Sequence, residues 1–186
     1  GEGRWGGGHH GSLQPGGWGP AEGRLDNIHI HDLDIENMEN PFMFILNLGN
    51  ECNHILVERV KARRIFKSTA SIESWKGGSF QDIILRDIDL EFCGHDEPGL
   101  KNIVAAQPHV DSRILPCWGL YVRNVKNLIL DNVKLSYTEQ ELRPAIYLDN
   151  VANAELNRVE CKETSATNVI VTSNSGSIKT NETDFK

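Results

Sequence analysis

The sequence predicts an all-β fold, a right-handed parallel β-helix of about five coils, because one short pattern recurs along the chain. The pattern reads Asn or Asp, apolar, any residue, apolar, two residues, apolar, any residue, apolar. No segment sustains the i, i+3, i+4, i+7 spacing of a helix. The first apolar positions of the copies are Ile28, Ile55, Ile83, Leu128, Ala154 and, in a last partial copy, Val169. Their spacings of 27, 28, 45, 26 and 15 residues indicate an inserted loop in the longest interval and a degenerate last turn.

Each copy predicts three short strands. Alternation such as Ile28 and Ile30 is typical of a strand with one buried face, and the two-residue step to Leu33 bends the chain into a second strand. A third strand precedes four of the copies, at 42–45, 70–72, 120–122 and 146–148. One such unit cannot bury its apolar face alone, so we expect the units to stack in parallel around a continuous core.

Polar residues at the start of the copies predict a stacked corner. Asn and Asp tolerate left-handed backbone and bond to their own turn, and stacked side chains can bond to one another. These residues are Asn27, Asn53, Asp82, Asn127, Asn153 and Asn168. We interpret them as structural rather than catalytic.

Length and charge bound the possible partners. The 186 residues suit one domain, and a net charge of −7 argues against a nucleic-acid surface. No apolar run is long enough for a membrane span. The predicted parts are a Gly-rich segment or cap at 1–24, coils at 25–172 with an inserted loop at 94–116, and a tail at 173–186. No signal peptide is visible, so one has been removed or the chain starts inside a longer one.

Four cysteines leave two alternatives open. Cys93 and Cys117 bracket the inserted loop and either staple it by a disulfide or remain free thiols, the commoner state without an oxidising context. Cys161 falls on an inward position and is interpreted as a small buried apolar residue. There is no CxxC pair, so no structural zinc site is expected, and no cofactor or metal is predicted.

Four segments give the chain a family resemblance from residue 25 to about residue 160. They are DNIHIHDLDIEN at 26–37, WGLYVRN at 118–124, LILDNVKL at 128–135 and LRPAIYLDN at 142–150. In these the chain resembles the bacterial polygalacturonase-like glycoside hydrolases, family 28. The resemblance implies a secreted or periplasmic protein that acts on pectin-type galacturonan or rhamnogalacturonan, with a polysaccharide or oligosaccharide as its partner.

The family's catalytic motifs are not found in this sequence. Its inverting mechanism uses clustered aspartates from Asn-Thr-Asp and Asp-Asp, a Gly-His-Gly histidine and an Arg-x-Lys, and none of these motifs occurs here. Catalytic residues are therefore unknown, and the resemblance implies the C-terminal coils of such an enzyme. The alternatives are a non-catalytic carbohydrate-binding or structural module, and a standalone enzyme with a site around His9, His10 and Glu22.

A β-helix that begins at residue 25 would leave unpaired strand edges at its first coil. Three arrangements would cover them: residues 1–24 folded back as a cap, a missing N-terminal part, or self-association through the open end.

Aromatic and basic side chains are the candidates for carbohydrate binding, because aromatic rings suit apolar sugar faces and Arg forks suit uronate carboxylates. The candidates are Trp5, Trp18, Trp75, Trp118, Arg59 and Lys61. Each has a plainer alternative: the tryptophans pack under loops or cap the stack, and the basic residues form a solvated face.

Two further features carry weaker hypotheses. His29 and His31 should face outward together and could share a metal with Asp32 or Asp34, although surface histidines without a metal are the commoner case. The loop at 94–116 is long and polar, so it is where we expect specificity to reside.

Overall fold

The computed structural model describes residues 23–47, 49–108, 112–166 and 168–185. It is an all-β parallel β-solenoid of about six turns, which confirms the predicted fold with about one turn more than expected. Among the described residues, the single helical element is a short 3-10 segment, Pro98–Asn102, and no helix is long and apolar enough to cross a membrane. The strands are β1 Arg24–Glu36, β2 Met43–Leu46, β3 Glu51–Ile65, β4 Ala70–Ser74, β5 Ser79–Phe92, β6 Leu120–Tyr137, β7 Ile146–Cys161, β8 Ile170–Ser173, β9 Ser177–Asn181 and β10 Asp184–Phe185.

Parallel pairing divides the outside of the solenoid into three faces. The first face is built from 28–31 of β1 and its register partners in β3, β5, β6, β7 and β9. The second face is built from 33–36 of β1 and its partners in β3, β5, β6, β7 and β10. The third face is built from β2, β4, the first residues of β6 and β7, and β8.

The core is the stacked inward row that the repeat predicts. Ile28 pairs in register with Ile55, and the row continues through the later copies. Ile55 is 1% exposed, and its equivalents in the next three turns are also buried. Apolar residues recur at the same place in each turn, so each turn closes the core of its neighbour.

One bend is left-handed in every turn. Between the first and second faces, the bend residues have φ from 50° to 57°, and none is glycine. They stack in register through the molecule and are Asp32, Arg59, Asp87, Asn132, Arg158 and Glu182.

The predicted polar corner is present with two changes of residue. Asn168 is not in the row, because the register partner of Asn153 in the last turn is Ser177. Asn27 and Asp82 have positive φ, but the residue between them in the stack is His54 rather than Asn53. His54 Nδ1 lies 2.7 Å from Asp26 Oδ1. The side-chain row is seen further along, where Asn127 donates to Asp82 at 2.6 Å and Asn153 donates to Asn127 at 3.1 Å.

The cysteines and the C-terminal strands complete the fold. All four cysteines are free, so Cys93 and Cys117 form no staple, and Cys161 is buried as expected. The strands β8 to β10 each pair with β7, so regular structure continues past residue 172.

Candidate functional site

The inserted segment between β5 and β6 folds back over the third face. Leu115 and Cys117 pack against Tyr121, an outward residue of β6. Outward residues of β2 and β4, such as Met43 and Ser71, are consequently buried. The face is therefore covered near the start of the solenoid and opens toward β7 and β8, whose outward residues are half-buried.

Hydrogen bonds tie the inserted segment to three different turns. Gln107 Nε2 donates to Asn47 Oδ1 at 2.9 Å in the first turn, and Arg143 Nη1 of the fourth turn donates to the Leu115 carbonyl at 3.0 Å. Two hydroxyls complete the set, Ser112 donating to Glu39 and Ser68 donating to the Arg113 carbonyl.

A buried ion pair lies at the border of this cover. Arg113 Nη1 and Nη2 donate to the two carboxylate oxygens of Glu73 at 2.9 and 2.6 Å. Trp75 Nε1 donates to Glu73 Oε2 at 2.9 Å, and the Glu73 side chain is 0% exposed. We name Glu73, Trp75, Arg113, Arg123 and Asp149 the Glu73 cluster.

The second half of the cluster is more open. Arg123 Nη1 donates to Asp149, and the Tyr121 hydroxyl donates to Asp149 Oδ2 at 3.2 Å. Burial raises the pKa of the Tyr121 phenol, so the hydroxyl stays protonated and remains a donor. The Tyr121 and Tyr147 rings lie 5.8 Å apart, and Tyr147 is half-buried.

Arg123 has unused hydrogen-bonding capacity. Its guanidinium lies 4.2 Å from the centre of the Trp75 ring, a cation–π contact. Its Nε is buried without a hydrogen-bond partner, although the side chain as a whole is 29% exposed. A buried donor without a partner is destabilising by about 1–3 kcal/mol. Because Nε itself is buried, a ligand would contact the exposed part of the Arg123 side chain.

The geometry of the cluster suits binding better than proton transfer. Both oxygens of Glu73 are occupied by Arg113, and Oε2 also accepts from Trp75, so Glu73 has no position left for a substrate proton. At Asp149, a single oxygen, Oδ2, accepts from both Tyr121 and Arg123. An arginine, two carboxylates and aromatic rings at the edge of a covered face can instead hold a sugar through hydrogen bonds and ring contact.

The predicted tryptophans are placed differently from one another. Trp75 is half-buried in the Glu73 cluster, with one ring face under Arg123. Trp118 is 1% exposed in the core, edge-on to Phe92 and Tyr137, and its role is packing. Trp5 and Trp18 lie outside the described residues.

The predicted basic pair does not form one surface. Arg59 sits in the left-handed bend and is held by Asp32 at 2.6 Å and Glu58 at 2.7 Å. Lys61 is exposed on the second face, in register between Asp34 and Asp89. Neither side chain is near the Glu73 cluster in the strand register, and Arg59 is committed to its two carboxylates.

The two histidines of β1 face outward side by side, as the alternation predicts. Their ring centres are 4.5 Å apart. His29 Nε2 is hydrogen-bonded to Glu58 Oε1 at 2.9 Å, and His31 Nδ1 is hydrogen-bonded to Asp32 Oδ2 at 2.6 Å. Arg59, followed by His31, holds the pKa of Asp32 well below its usual range. No group of three side chains with metal-binding geometry occurs among the described residues.

Another concavity, of about 510 Å³, opens beside the start of the inserted segment. Its lining includes Asp96, Glu97 and Glu139 together with His95. Three carboxylates repel an anionic sugar, so this concavity suits a pectin-type ligand less well than the Glu73 cluster does.

Sequence reasoning missed most of the Glu73 cluster. It singled out Trp75 alone, and none of Glu73, Arg123 or Asp149. The signal was available, because Tyr-Val-Arg-Asn at 121–124 and Tyr-Leu-Asp-Asn at 147–150 repeat the same outward tyrosine followed by a charged residue. In register these put Tyr121 beside Tyr147 and Arg123 beside Asp149.

Comparison with known proteins adds no relative: no family model, no curated protein and no solved structure matches the chain.

Proposed function

We propose that this chain is the glycan-binding coil stack of a pectin-type glycoside hydrolase, acting on galacturonan or rhamnogalacturonan. The observation that carries the proposal is Arg123, whose partly exposed side chain is stacked on Trp75, beside the half-buried residue Tyr147. Uronate sugars present a carboxylate and several hydroxyls, which are the acceptors that an arginine fork recognises. Under this proposal, the catalytic aspartates that hydrolysis requires are not supplied by this chain.

The location of the cluster supports the proposal. Two of the segments that resemble the hydrolase family, 118–124 and 142–150, run side by side on the third face. They supply Tyr121 and Arg123 from one turn and Tyr147 and Asp149 from the next. Since pectin-type polysaccharides are extracellular, the proposal includes a secreted or periplasmic location.

A non-catalytic carbohydrate-binding or structural module is the second candidate. It is favoured by the occupied acceptor positions of Glu73, because both oxygens of that carboxylate accept from Arg113 and Oε2 also accepts from Trp75. A hydrolase and a carbohydrate-binding module differ in whether the glycan is hydrolysed, and both bind it. A purely structural module would not bind it.

Titration of the purified full chain with galacturonan and rhamnogalacturonan oligosaccharides tests the binding step. Arg123→Gln and Tyr147→Ala should each weaken binding about tenfold, because each removes a direct contact. Arg158→Gln is the matched control, since Arg158 is also paired with an aspartate, Asp131, but lies at the distant bend.

The same titrations with release of reducing ends as readout separate the alternatives. We expect binding without turnover from this chain alone. Turnover that is lost when His9, His10 or Glu22 is changed would support the standalone enzyme, and the absence of binding to any of these glycans would overturn the proposal.

A further inference from the structure

The first strand of the solenoid has an unused edge. Among the described residues, β1 pairs only with β3, so the backbone groups on its other side have no strand partner there. A long unpaired edge is a template for the addition of another strand.

The inward residues of β1 are also less covered than those of the next turn. Ile28, Ile30, Leu33 and Ile35 are half-buried, whereas their register partners in β3 are at most 2% exposed. The positions are equivalent in the repeat, and among the described residues no turn stacks on that side of β1. At β1 the stack therefore presents half-buried apolar side chains on the inside and unpaired backbone groups along the strand edge.

Charges on the second face alternate from turn to turn. One outward row alternates acidic and basic over five turns, through Asp34, Lys61, Asp89, Lys134 and Glu160. The alternation ends at the last turn, where Asp184 lies opposite Glu160. The bend row begins acidic, basic, acidic, through Asp32, Arg59 and Asp87, and a third row begins with Glu36 opposite Arg63. Opposite charges directly across two strands are stabilising and like charges are not.

In all three rows, the residue in β1 is an acid. Asp32, Asp34 and Glu36 form what we name the acidic edge, and within the described residues Asp34 and Glu36 are in no ion pair. The alternation predicts basic residues at these three positions in whatever strand comes next.

We infer that the free edge of β1 binds a parallel β-strand of another polypeptide, with alternating apolar residues and Lys or Arg opposite Asp32, Asp34 and Glu36. The strand would continue the core with its apolar side chains and the charge rows with its basic ones. This inference is independent of glycan binding, because the Glu73 cluster lies on a different face.

Two other occupants fit the edge less well. Residues 1–22 contain one basic residue of the Lys or Arg type, Arg4, and no run of alternating apolar residues. A second copy stacked head to tail would bring its last turn, with Glu182 and Asp184 in these same rows, against the acidic edge. An antiparallel second copy would not follow the bend of β1 at Asp32.

A peptide with the sequence of 51–65, carrying Cys52→Ser, is a ready probe, because β3 already has the required pattern. In the register of the repeat it would place Arg59, Lys61 and Arg63 opposite the acidic edge. Its matched control carries Arg59→Glu, Lys61→Glu and Arg63→Glu. Binding of each labelled peptide to the full chain is measured by fluorescence anisotropy.

We expect the basic peptide to bind at least tenfold more tightly than the acidic peptide, because three cross-strand pairs change from attractive to repulsive. The protein variant Asp34→Asn/Glu36→Gln should reduce that difference. Glu155→Gln/Glu160→Gln, a variant remote from β1, should preserve it.

Three results would overturn the inference. Equal affinity for the two peptides would show that the charges opposite the acidic edge do not determine binding. Binding of neither peptide would show that the edge is already covered, for example by residues 1–22. A dimer of the chain alone, detected by analytical ultracentrifugation and abolished by Asp34→Lys, would assign the edge to a second copy.

Discussion

At the scale of single residues, the left-handed bend is the least expected feature of this chain. Six bend residues have positive φ without a glycine among them. For residues other than glycine this conformation is unfavourable by about 1–2 kcal/mol. Contacts between turns offset part of the cost, such as the two hydrogen bonds from Arg59 to Asp32 and the one from Asn132 to Asp87.

Arg64 is a suitable residue for measuring this backbone cost, because it is exposed, has φ 57°, and its side chain makes no hydrogen bond in the described structure. Arg64→Val should lower the free energy of unfolding by about 1 kcal/mol, since a β-branched side chain is least tolerated there. Arg64→Gly should leave it unchanged or raise it by up to about 1 kcal/mol. Urea denaturation measures both free energies. A valine variant as stable as the parent would contradict the claim that the left-handed backbone at this position is strained.

The sequence predicts these corners only in part, for a physical reason. The step from one strand to the next is visible in the apolar pattern, but the left-handed residue must be chosen from two adjacent polar ones. At Asn53 and His54, the general preference of asparagine for positive φ favours Asn53. The structure uses His54, where the imidazole reaches Asp26 and lies 3.4 Å from Asp82.

At the scale of elements, the inserted segment depends on the pair of Arg113 and Glu73. Arg113→Met should lower the free energy of unfolding by about 3–5 kcal/mol, because it leaves the buried Glu73 charge unpaired. Arg113→Met combined with Glu73→Leu should recover much of that loss. Lys67→Met is the control, since its half-exposed pair with Glu39 is expected to contribute less than about 1 kcal/mol.

Thermal unfolding together with limited proteolysis between residues 103 and 108 measures this effect. Faster cleavage in Arg113→Met, restored in the double variant, is the expected result. Cleavage as slow as in the parent chain would show that other contacts hold the segment.

Alternation along a strand predicts side-chain direction, but not what covers the outside. By this alternation Glu73 points outward from β4, yet it is fully buried. The cover comes from a segment about 40 residues further along the chain, and the apolar pattern of that segment contains no strand signal. Fold and core were thus predictable from local periodicity, whereas the Glu73 cluster depends on a long-range contact between a strand and a loop.

At the scale of the whole molecule, carboxylates bonded across turns make stability depend on pH. His54 holds the pKa of Asp26 below its ordinary value of 3.8, Arg59 does the same for Asp32, and His29 with Arg59 lowers the pKa of Glu58 from 4.5. Their contribution is present above the unfolded-state values and is lost as the pH falls through the folded ones. The melting temperature should therefore drop steeply below about pH 4.

Scanning calorimetry from pH 7 to pH 2.5 tests this dependence. Asp32→Asn/Glu58→Gln should flatten the acid limb, because two of the contributing groups are removed. A melting temperature that rises on acidification below pH 4 would contradict the assignment.

The inserted segment also changes how the stack comes apart. A solenoid whose turns touch only their neighbours can fray from either end, one turn after another. Here the inserted segment forms hydrogen bonds with Glu39 and Asn47 in the first turn, Ser68 in the second and Arg143 in the fourth. Unfolding that starts at β1 must therefore break the hydrogen bonds to the inserted segment first. The strands β8 to β10 lie beyond Arg143, the last of these residues bonded to that segment. Slow hydrogen exchange should consequently extend as one block from β1 to β7 and stop at the last turn.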